Sequence, residues 1–569
     1  MYITSHRMLP LLYFEKMKEK LTHLVAYVVR ELYAVDTTPE FTRPEAQFGD
    51  FATNVAMQVA GRVGVNPREV AEKVAEALQK TDGVASVDIA GPGFINIRLT
   101  DEALAGEWSA AMPQLYAGQT VVAEYSDPNP FKVLHAGHLY TSVVGDAIAN
   151  LFEAAGASVH RVNFGGDVGL HVAKTMWAIV RHLGGESSDK LSEVAADARS
   201  EWMAARYLEG NDAYESDESA QVEIVSYNKR IYALHTENEH ESNFARIYWT
   251  TRDWSYDYFD SFYASIGSKF EKYYPESETA PLGLATVREH VGDVYEESDG
   301  AIIFDGEKHG LHTRVFINRE GLPTYEAKDV GLALKKWQDY HYQKSIIITG
   351  NDIVEYMKVV MKSIEQFAPE AVRDAVHLTH GMVKLEGGVK MSSRRGNFLR
   401  AVDVLEAAEA ANEAAGNGTN RNVSLGAVKY AFLKQRIGGD LIYSPSESVS
   451  LQGNSGPYLQ YAHARACSIL EKVSVQPDSA IADYDEYERL LARKLSQYQE
   501  VLTQAVNDLM PHHVCTYLFE LAQAFNRFYE QSHVVGDPRE GLRTELVRRY
   551  RDTLGHGLGL LGIAAPEKL

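Results

Sequence analysis

Two short segments of the chain carry residue types that could bind and neutralise phosphate. The first, residues 135–138 (His-Ala-Gly-His), places two imidazoles three positions apart. The second begins at Lys390 and reads Lys-Met-Ser-Ser-Arg-Arg-Gly-Asn. Imidazole, ammonium and guanidinium N–H groups can all stabilise negative charge that develops on phosphoryl oxygens. The two segments therefore predict a site where a nucleotide reacts.

The first segment lies where a strand-to-helix loop is expected to deliver a helix N-terminus. Residues 120–125 form a β-rich run, and helical apolar spacing extends over 139–155. Backbone N–H groups and the helix dipole favour an anion there, and Gly137 would let an adenine ring or a ribose approach the backbone. The alternative is a pair of histidines that cap a helix or lie in a surface loop.

The second segment has the character of an exposed basic loop. Residues 389–400 contain four basic residues and no acidic one. Such cations could neutralise the β and γ phosphates of ATP as pyrophosphate departs, and a flexible loop could close when the nucleotide is present. A solvated linker between domains is the alternative.

The patterning around these segments predicts a multidomain α/β protein, as 569 residues also lead one to expect. Residues 1–115 read as an N-terminal α+β domain. The βαβ pattern of 120–125, 139–155 and 159–164 predicts a Rossmann-like parallel sheet in a catalytic domain over 116–400. Strand-like runs at 301–304, 314–317 and 345–349 are expected to complete that sheet, and an acidic insertion is expected at about 185–292.

From residue 401 onward, almost all of the patterning is helical, which predicts an all-α bundle over 401–569. The expected helices are 404–414, 427–436, 458–473, 487–509, 513–530 and 539–561.

Composition bounds the function. The formal net charge of −22 argues by itself against a nucleic-acid partner, but residues 539–551 carry five Arg against two Glu. That cluster permits an RNA track, with a solvated helix face as the alternative. Cys467 and Cys515 are too few for a disulfide framework and are not spaced as zinc ligands, so we expect no structural metal. The lack of an apolar run of membrane-spanning length or a signal-peptide core predicts a cytoplasmic protein.

The two segments resemble the HIGH and KMSKS signatures of class I aminoacyl-tRNA synthetases. Residues 124–129 (Glu-Tyr-Ser-Asp-Pro-Asn), followed by 135–139, are similar to the segment that contains HIGH in arginyl-tRNA synthetases. Further likenesses to that family span the chain, at 48–54, 91–96, 145–146, 166–169, 323–325 with Asp329, 456–465 and 561–567.

The resemblance implies ATP-dependent attachment of L-arginine to tRNA(Arg) through an arginyl-adenylate, with release of AMP and pyrophosphate and without a covalent enzyme intermediate. Magnesium would bridge the phosphates of ATP, and the first step can require bound tRNA. The N-terminal domain would contact the tRNA elbow and the helical bundle would bind the anticodon. A monomer is expected.

The resemblance also implies roles for individual residues. The residues expected in catalysis are Lys132, His135, His138, Lys390 and Arg394. Those expected to bind ATP are His135, Gly137, His138, Lys390, Met391, Ser392 and Ser393. Those expected around arginine are Glu124, Ser126, Asn129, His135, Tyr325 and Asp329.

The chemistry of arginine agrees with two of these assignments. A guanidinium needs planar, bidentate acceptors, which in proteins are carboxylates. Glu124 and Asp329 lie at the ends of predicted sheet elements, where open α/β sheets bind ligands. An ordinary cap or a buried polar residue is the alternative for each.

Two positions depart from the family pattern. Arg394 stands where KMSKS has its second lysine, and a planar fork does not replace a compact ammonium without consequence. Lys132, three residues before His135, is predicted to compensate. Ile353 stands where the family tends to have a polar residue facing the substrate.

Two other functions are alternatives to tRNA charging. One is a synthetase-like protein that binds tRNA or nucleotide without aminoacylation, which both histidines and the helical bundle argue against. The other is a small-molecule adenylating ligase, in which a helical domain of about 165 residues would have no purpose.

Overall fold

In the computed structural model, which describes residues 16–386, 399–474 and 483–569, the chain begins with a small antiparallel sheet covered by helices. Its elements are α1 (Met17–Tyr33), β1 (Phe51–Thr53), α2 (Val55–Val63), α3 (Pro67–Gln79), β2 (Val84–Ala90), β3 (Phe94–Leu99) and α4 (Asp101–Gly106). The strand order is β1-β3-β2, with antiparallel pairing throughout. The predicted N-terminal α+β architecture is confirmed.

The middle of the chain is built around a parallel sheet. Its elements are β4 (Thr120–Glu124), α5 (Ala136–Ala154), β5 (Ser158–Gly165), α6 (Leu170–His182), α7 (Arg199–Ser216), α8 (Glu218–Thr236), α9 (Asn243–Ile266), β6 (Lys272–Pro275), α10 (Glu276–Glu289), β7 (Glu296–Ser298), β8 (Ala301–Phe304), β9 (Arg314–Ile317), α11 (Tyr325–Tyr340), β10 (Lys344–Gly350), α12 (Val354–Glu365), β11 (Ala375–His380) and β12 (Val383–Leu385). Five strands pair in the order β11-β10-β4-β5-β6, all parallel.

This sheet is the predicted Rossmann-like core. Strand β4 is central, and Val121, Val122 and Ala123 are buried, as expected for a strand covered by helices on both faces. The chain proceeds from β4 to β5 and β6 on one side and to β10 and β11 on the other. The carboxyl ends of β4 and β10 therefore border the crevice in which such sheets bind ligands.

Two details of the predicted sheet were wrong. Strands β8 and β9 do not join it but form a separate antiparallel sheet with β7. The parallel sheet is instead completed by β11 and by β6, and β6 lies inside the predicted insertion at 185–292. Apolar periodicity identifies a strand but not its partners, and these two edge strands are short or only half buried, so their signal was weak.

The C-terminal part is a helical bundle, as predicted. Its elements are α13 (Ala401–Ala414), α14 (Arg421–Leu433), β13 (Leu441–Tyr443), α15 (Pro445–Ser448), α16 (Gly456–Leu470), α17 (Glu486–Leu495), α18 (Tyr498–Asp508), α19 (His512–Gln531) and α20 (Glu540–Leu560). The helix predicted over 487–509 is two helices, α17 and α18. Strand β13 is an exception to all-α structure: it pairs with β12 and so ties the bundle to the core.

Ion pairs join the N-terminal sheet to this bundle. Asp50 is buried beside β1, and its carboxylate accepts a hydrogen bond of 2.8 Å from the Leu99 amide. The same carboxylate pairs with Arg489 at 2.6 Å and with Arg493 at 3.5 Å, both from α17. The buried carboxylate of Asp50 thus attaches the N-terminal sheet to α17, and loss of both arginines would leave its charge uncompensated.

The arginine cluster at 539–551 is also used internally. Arg539 and Arg543 both bond to Glu488, whose side chain is fully buried, and Arg549 pairs with Glu545 at 2.8 Å. These arginines therefore stabilise the bundle, and their contacts do not support the RNA track that the cluster permits. No helix in the described ranges is both long enough and apolar enough to cross a bilayer.

Candidate active site

The two histidines of the first segment cap α5 and stack on each other. His135 Nδ1 accepts hydrogen bonds from the backbone N–H groups of Gly137 at 3.1 Å and His138 at 3.3 Å. His138 Nδ1 accepts the N–H of His135 at 3.1 Å in return. The ring centroids lie 3.6 Å apart. The two histidines thus cap a helix, which was the alternative to phosphate binding. Capping uses only the Nδ1 atom of each ring.

This geometry fixes the proton on each imidazole. A nitrogen that accepts a hydrogen bond from an N–H group carries no proton, so the proton of each neutral ring sits on Nε2. Desolvation, followed by the nearby His380 and Lys132, lowers the pKa of His135 to about 4. Desolvation and His135 hold the pKa of His138 well below its ordinary value. Both rings are therefore neutral at pH 7, with the ring proton on Nε2.

Two parts of the phosphate-binding expectation need correction. The N–H groups at the start of α5 do not face an open anion site. The His135 imidazole accepts those of Gly137 and His138, and the Leu399 carbonyl accepts that of Ala136 at 2.8 Å. Gly137 is needed for the His135 ring: a Cβ there would lie 2.9 Å from two atoms of that ring. The side chains, not the backbone, are what a phosphate would meet.

Lys132 lies beside this pair. Its ammonium nitrogen is 4.8 Å from the centroid of the Tyr207 ring, a cation–π contact. Desolvation lowers the pKa of Lys132, and the Glu276 carboxylate opposes that shift. The lysine is close enough to the histidines to contribute to their lowered pKa.

The second segment falls outside the described residues, which resume at Leu399. This applies to Lys390, Met391, Ser392, Ser393 and Arg394. The chain just after it is held against the first segment. Residues 134–136 and 399–401 exchange backbone hydrogen bonds of 2.8 and 2.9 Å around an antiparallel bridge between His135 and Arg400. The first segment and the end of the basic segment are thus neighbours.

A cluster of buried carboxyl groups lies at the carboxyl end of β4. Glu124 ends the strand, is 4% exposed and pairs with the buried ammonium of Lys336. Asp329 comes from α11 and accepts a hydrogen bond from the Tyr356 hydroxyl. Asp127, from the loop after β4, accepts the Phe164 N–H at 2.8 Å. Three carboxyl groups therefore share a small volume with one lysine.

Burial and repulsion from neighbouring carboxylates hold the carboxyl groups of Asp329 and Asp127 toward their neutral form. Desolvation chiefly raises the pKa of Asp329 to about 7, with Glu124 and Glu276 adding repulsion, while the Tyr356 hydrogen bond and Lys336 oppose the shift. The pKa of Asp127 is also held well above its ordinary value by burial and by Glu124. A further cation in this cluster would favour the ionised forms.

The loop that leaves β4 has a strained backbone. Ser126, Asp127 and Phe131 all have positive φ, at 74°, 48° and 68°, which non-glycine residues rarely adopt. The Ser126 hydroxyl lies 2.7 Å from the Tyr263 hydroxyl. Asn129 Oδ1 accepts the Gly166 N–H at 2.9 Å, so the Asn129 amide nitrogen is left as its donor group.

Tyr325 begins α11 one turn before Asp329 and is 60% exposed. The Lys328 ammonium lies 5.0 Å from its ring centroid and pairs with the buried Glu276 at 2.5 Å. Ile353, the second departure from the family pattern, is half-buried at the start of α12. Its neighbour Asp352 opposes the fall in the pKa of His135.

Four charged residues at this site had no role predicted from the sequence. They are Asp127, Glu276, Lys328 and Lys336. The two lysines lie one position before and seven positions after Asp329 in α11, where they read as ordinary surface charges of a helix. Only the spacing of Lys336, which places it on the face of Asp329, could have drawn attention to it.

A sizeable cavity lies away from the β4–β10 crevice. A cavity of about 500 Å³ lies between α5, β5 and the helical bundle, and its lining includes Asp146, Arg161 and Lys429. No predicted site residue lines it. The crevice at β4 is distinguished by its chemistry rather than by its volume.

Comparison with known families covers this site and the rest of the chain. A family model described as "tRNA synthetases class I (R), catalytic domain" matches residues 101–444, more than half of the chain. Residues 16–99 match "Arginyl tRNA synthetase N terminal domain". Residues 459–569 match "DALR anticodon binding domain". The catalytic match runs past residue 400, the predicted end of that domain.

Individual proteins match over almost the whole chain. The arginine–tRNA ligase of Phocaeicola vulgatus is 27% identical, with 97% of this chain and 100% of the relative covered. That of Aliivibrio fischeri is 29% identical, with coverages of 92% and 94%. Among solved structures, the arginyl-tRNA synthetases of Thermus thermophilus and Plasmodium falciparum share this fold. The first has a TM-score of 0.78 at 24% identity, covering 97% of this chain and 100% of the other. The second has 0.77 at 20% identity, covering 98% and 99%. Together with the three family matches, this full-length likeness shows that the chain belongs to the arginyl-tRNA synthetases of class I.

Proposed function

We propose that this protein attaches L-arginine to tRNA(Arg) in two steps, with adenylation by ATP followed by transfer to the tRNA. The observation that carries the proposal is the buried carboxyl cluster beside two neutral imidazoles at the β4–β10 crevice. One side of the crevice is suited to a guanidinium and the other to phosphate.

The carboxyl side recognises the substrate side chain. Glu124 and Asp329 each have one oxygen engaged, by Lys336 and by the Tyr356 hydroxyl, which leaves the other oxygen as an acceptor for a guanidinium N–H. Tyr325, one turn before Asp329, closes the mouth of the pocket. The positive charge of arginine relieves the repulsion among the carboxyl groups, which a neutral side chain of the same shape cannot do.

The backbone of arginine lies toward the first segment. The amide nitrogen of Asn129 donates to the arginine carboxylate, and Ser126 contacts the amino-acid backbone. His135, which ends this loop, contacts both the arginine carboxylate and the α-phosphate. The strained loop between β4 and α5 serves to hold these groups at one place.

Adenylation is catalysed by position and charge. The arginine carboxylate attacks the α-phosphorus of ATP in line and pyrophosphate leaves. The Nε2–H groups of His135 and His138 donate to the phosphates, Gly137 makes room for their packing, and Lys132 adds a positive charge. Lys390, Met391, Ser392, Ser393 and Arg394 are proposed to bind the β and γ phosphates. A terminal ribose hydroxyl of the tRNA then takes the arginyl group, and AMP leaves.

Magnesium enters with its nucleotide. Within the described ranges, no group of three His, Cys, Asp or Glu side chains is arranged to hold a metal ion. Mg²⁺ would be part of the Mg-ATP substrate, where it would neutralise phosphate charge. We also propose that the protein acts as a monomer, and that the N-terminal domain and the helical bundle contact the tRNA.

The test is charging of tRNA with each of the twenty amino acids by the wild type and by Lys132→Ala. Arginine alone should be charged, and Lys132→Ala should lower the rate by roughly ten- to a hundred-fold. ATP–pyrophosphate exchange with and without tRNA shows whether the first step needs tRNA. Charging of another amino acid, or binding of tRNA without any charging, would contradict the proposal.

A further inference from the structure

Helix α7 lies outside the parallel sheet in the chain order, but one of its side chains contacts a residue of the crevice. The Tyr207 ring, near its middle, lies 4.8 Å from the Lys132 ammonium. Among the residues that the structure describes, no carboxylate oxygen lies within 4.0 Å of this ammonium, so the ring is its close electrostatic partner. A lysine side chain has many rotamers, and a contact of this kind restricts them.

Two contacts, one on each side of Tyr207, fix the position of α7. Near its start, Glu201 pairs at 3.2 Å with Arg400, whose backbone bridges to His135. Further along the helix, Gly210 lies so close to α6 that a Cβ would be 2.0 Å from the Lys174 carbonyl oxygen. Tyr207 lies between these two contacts and is thus held in place relative to the first segment.

We propose that Tyr207 is a positioning residue for adenylation, whose ring holds the Lys132 ammonium where the phosphates of ATP bind. This inference rests on the role of Lys132 in the proposed function. If Tyr207 has this role, one of the helices between α6 and β6 determines the position of a side chain on the nucleotide side of the crevice.

The experiment is steady-state ATP–pyrophosphate exchange with tRNA present, for Tyr207→Leu, Tyr207→Phe and a matched control. Tyr207→Leu removes the ring and should raise KM for ATP about five-fold, while KM for arginine changes less than two-fold. Tyr207→Phe keeps the ring and should restore most of the affinity. Tyr214→Leu is the control, because Tyr214 is on the same helix and makes the same contact, at 4.3 Å, with Lys174 outside the site. It should leave KM for ATP unchanged.

A double-mutant cycle decides whether the tyrosine acts through the lysine. In a Lys132→Ala background, Tyr207→Leu should have no further effect on KM for ATP. The same five-fold increase in that background, or an equal increase from Tyr214→Leu, would overturn the inference in favour of a structural role. An impaired Lys132→Ala with an unaffected Tyr207→Leu would overturn this inference alone. An unaffected Lys132→Ala would overturn the role of the lysine as well.

Discussion

The two sides of the β4–β10 crevice respond to burial in different ways. On the carboxyl side, burial raises the pKa of Asp329 to about 7, near physiological pH. On the imidazole side, burial lowers the pKa of His135 to about 4, far from physiological pH. Desolvation favours the neutral form in both cases. The carboxyl side is thus set to change its protonation when a cation arrives, whereas the imidazoles keep one N–H donor each throughout.

The largest loss of activity is expected from removing a carboxylate on the carboxyl side of the crevice. Asp329→Asn removes a buried acceptor that a guanidinium needs and should lower kcat/KM for arginine about a thousand-fold, with KM for ATP changed far less. Charging of tRNA at varied arginine concentration measures it. Asp339→Asn is the control, because Asp339 lies on the same helix and pairs with Lys272 outside the cluster. A loss below ten-fold for Asp329→Asn would contradict the assignment.

Removing an imidazole on the other side of the crevice should lower activity less. His138→Asn keeps an acceptor for the cap of α5 but removes the imidazole N–H, and should lower the rate of adenylate formation about a hundred-fold. Rapid-quench measurement of arginyl-adenylate gives this rate directly. Because both rings stay neutral, the wild-type rate at saturating arginine should show no imidazole titration between pH 6 and pH 8. A titration in that range would mean that a charged imidazole takes part.

The pH dependence of arginine affinity sharpens the comparison. With a pKa of about 7, Asp329 is mostly protonated at pH 6 and mostly ionised at pH 8, so KM for arginine should fall about ten-fold over that range. The stability of the free protein depends on pH in the opposite direction from its affinity for arginine. The folded-state pKa lies above the unfolded one, so this group stabilises the free protein at low pH and loses that contribution as pH rises through about 7. Saturating arginine should therefore raise Tm more at pH 8 than at pH 6, and Asp329→Asn should remove both trends.

The smallest effect is expected from crowding the imidazole side. Gly137→Ala places a Cβ 2.9 Å from the His135 ring, so the ring must shift by a few tenths of an ångström. We expect about a five-fold loss in adenylate formation with KM for arginine unchanged. Gly61→Ala, in a helix with nothing within 4 Å of the new atom, is the control and should change neither constant. Equal losses in both variants would show that the effect is not local.

The elements that position the site could be predicted from the sequence, because their patterns are long and strict. The predicted strand at 120–125 and helix at 139–155 differ from β4 and α5 by at most three residues. The edge strand β6 could not be predicted: its four residues offer no alternation, and its position depends on pairing with β5.

The chemistry of the site could be predicted where a residue acts alone and not where it acts through a partner. His135 was predicted from its type and position, whereas Glu124 and Asp329 were predicted from the family resemblance, with which the chemistry of a guanidinium agrees. That Glu124 is paired with Lys336, or that Gly137 makes room for a ring rather than for a nucleotide, depends on contacts between segments far apart in the chain. The departure at Arg394 lies outside the described residues and stays a prediction.

The central claim, that arginine binds at the carboxyl side and displaces a proton there, can be measured directly. Isothermal titration of L-arginine into the free protein at pH 7, in two buffers of different ionisation enthalpy, gives the number of protons exchanged. The account predicts release of about half a proton per arginine at pH 7, rising at pH 6 and vanishing in Asp329→Asn. Binding without proton exchange in the wild type, or the same release in Asp329→Asn, would contradict it.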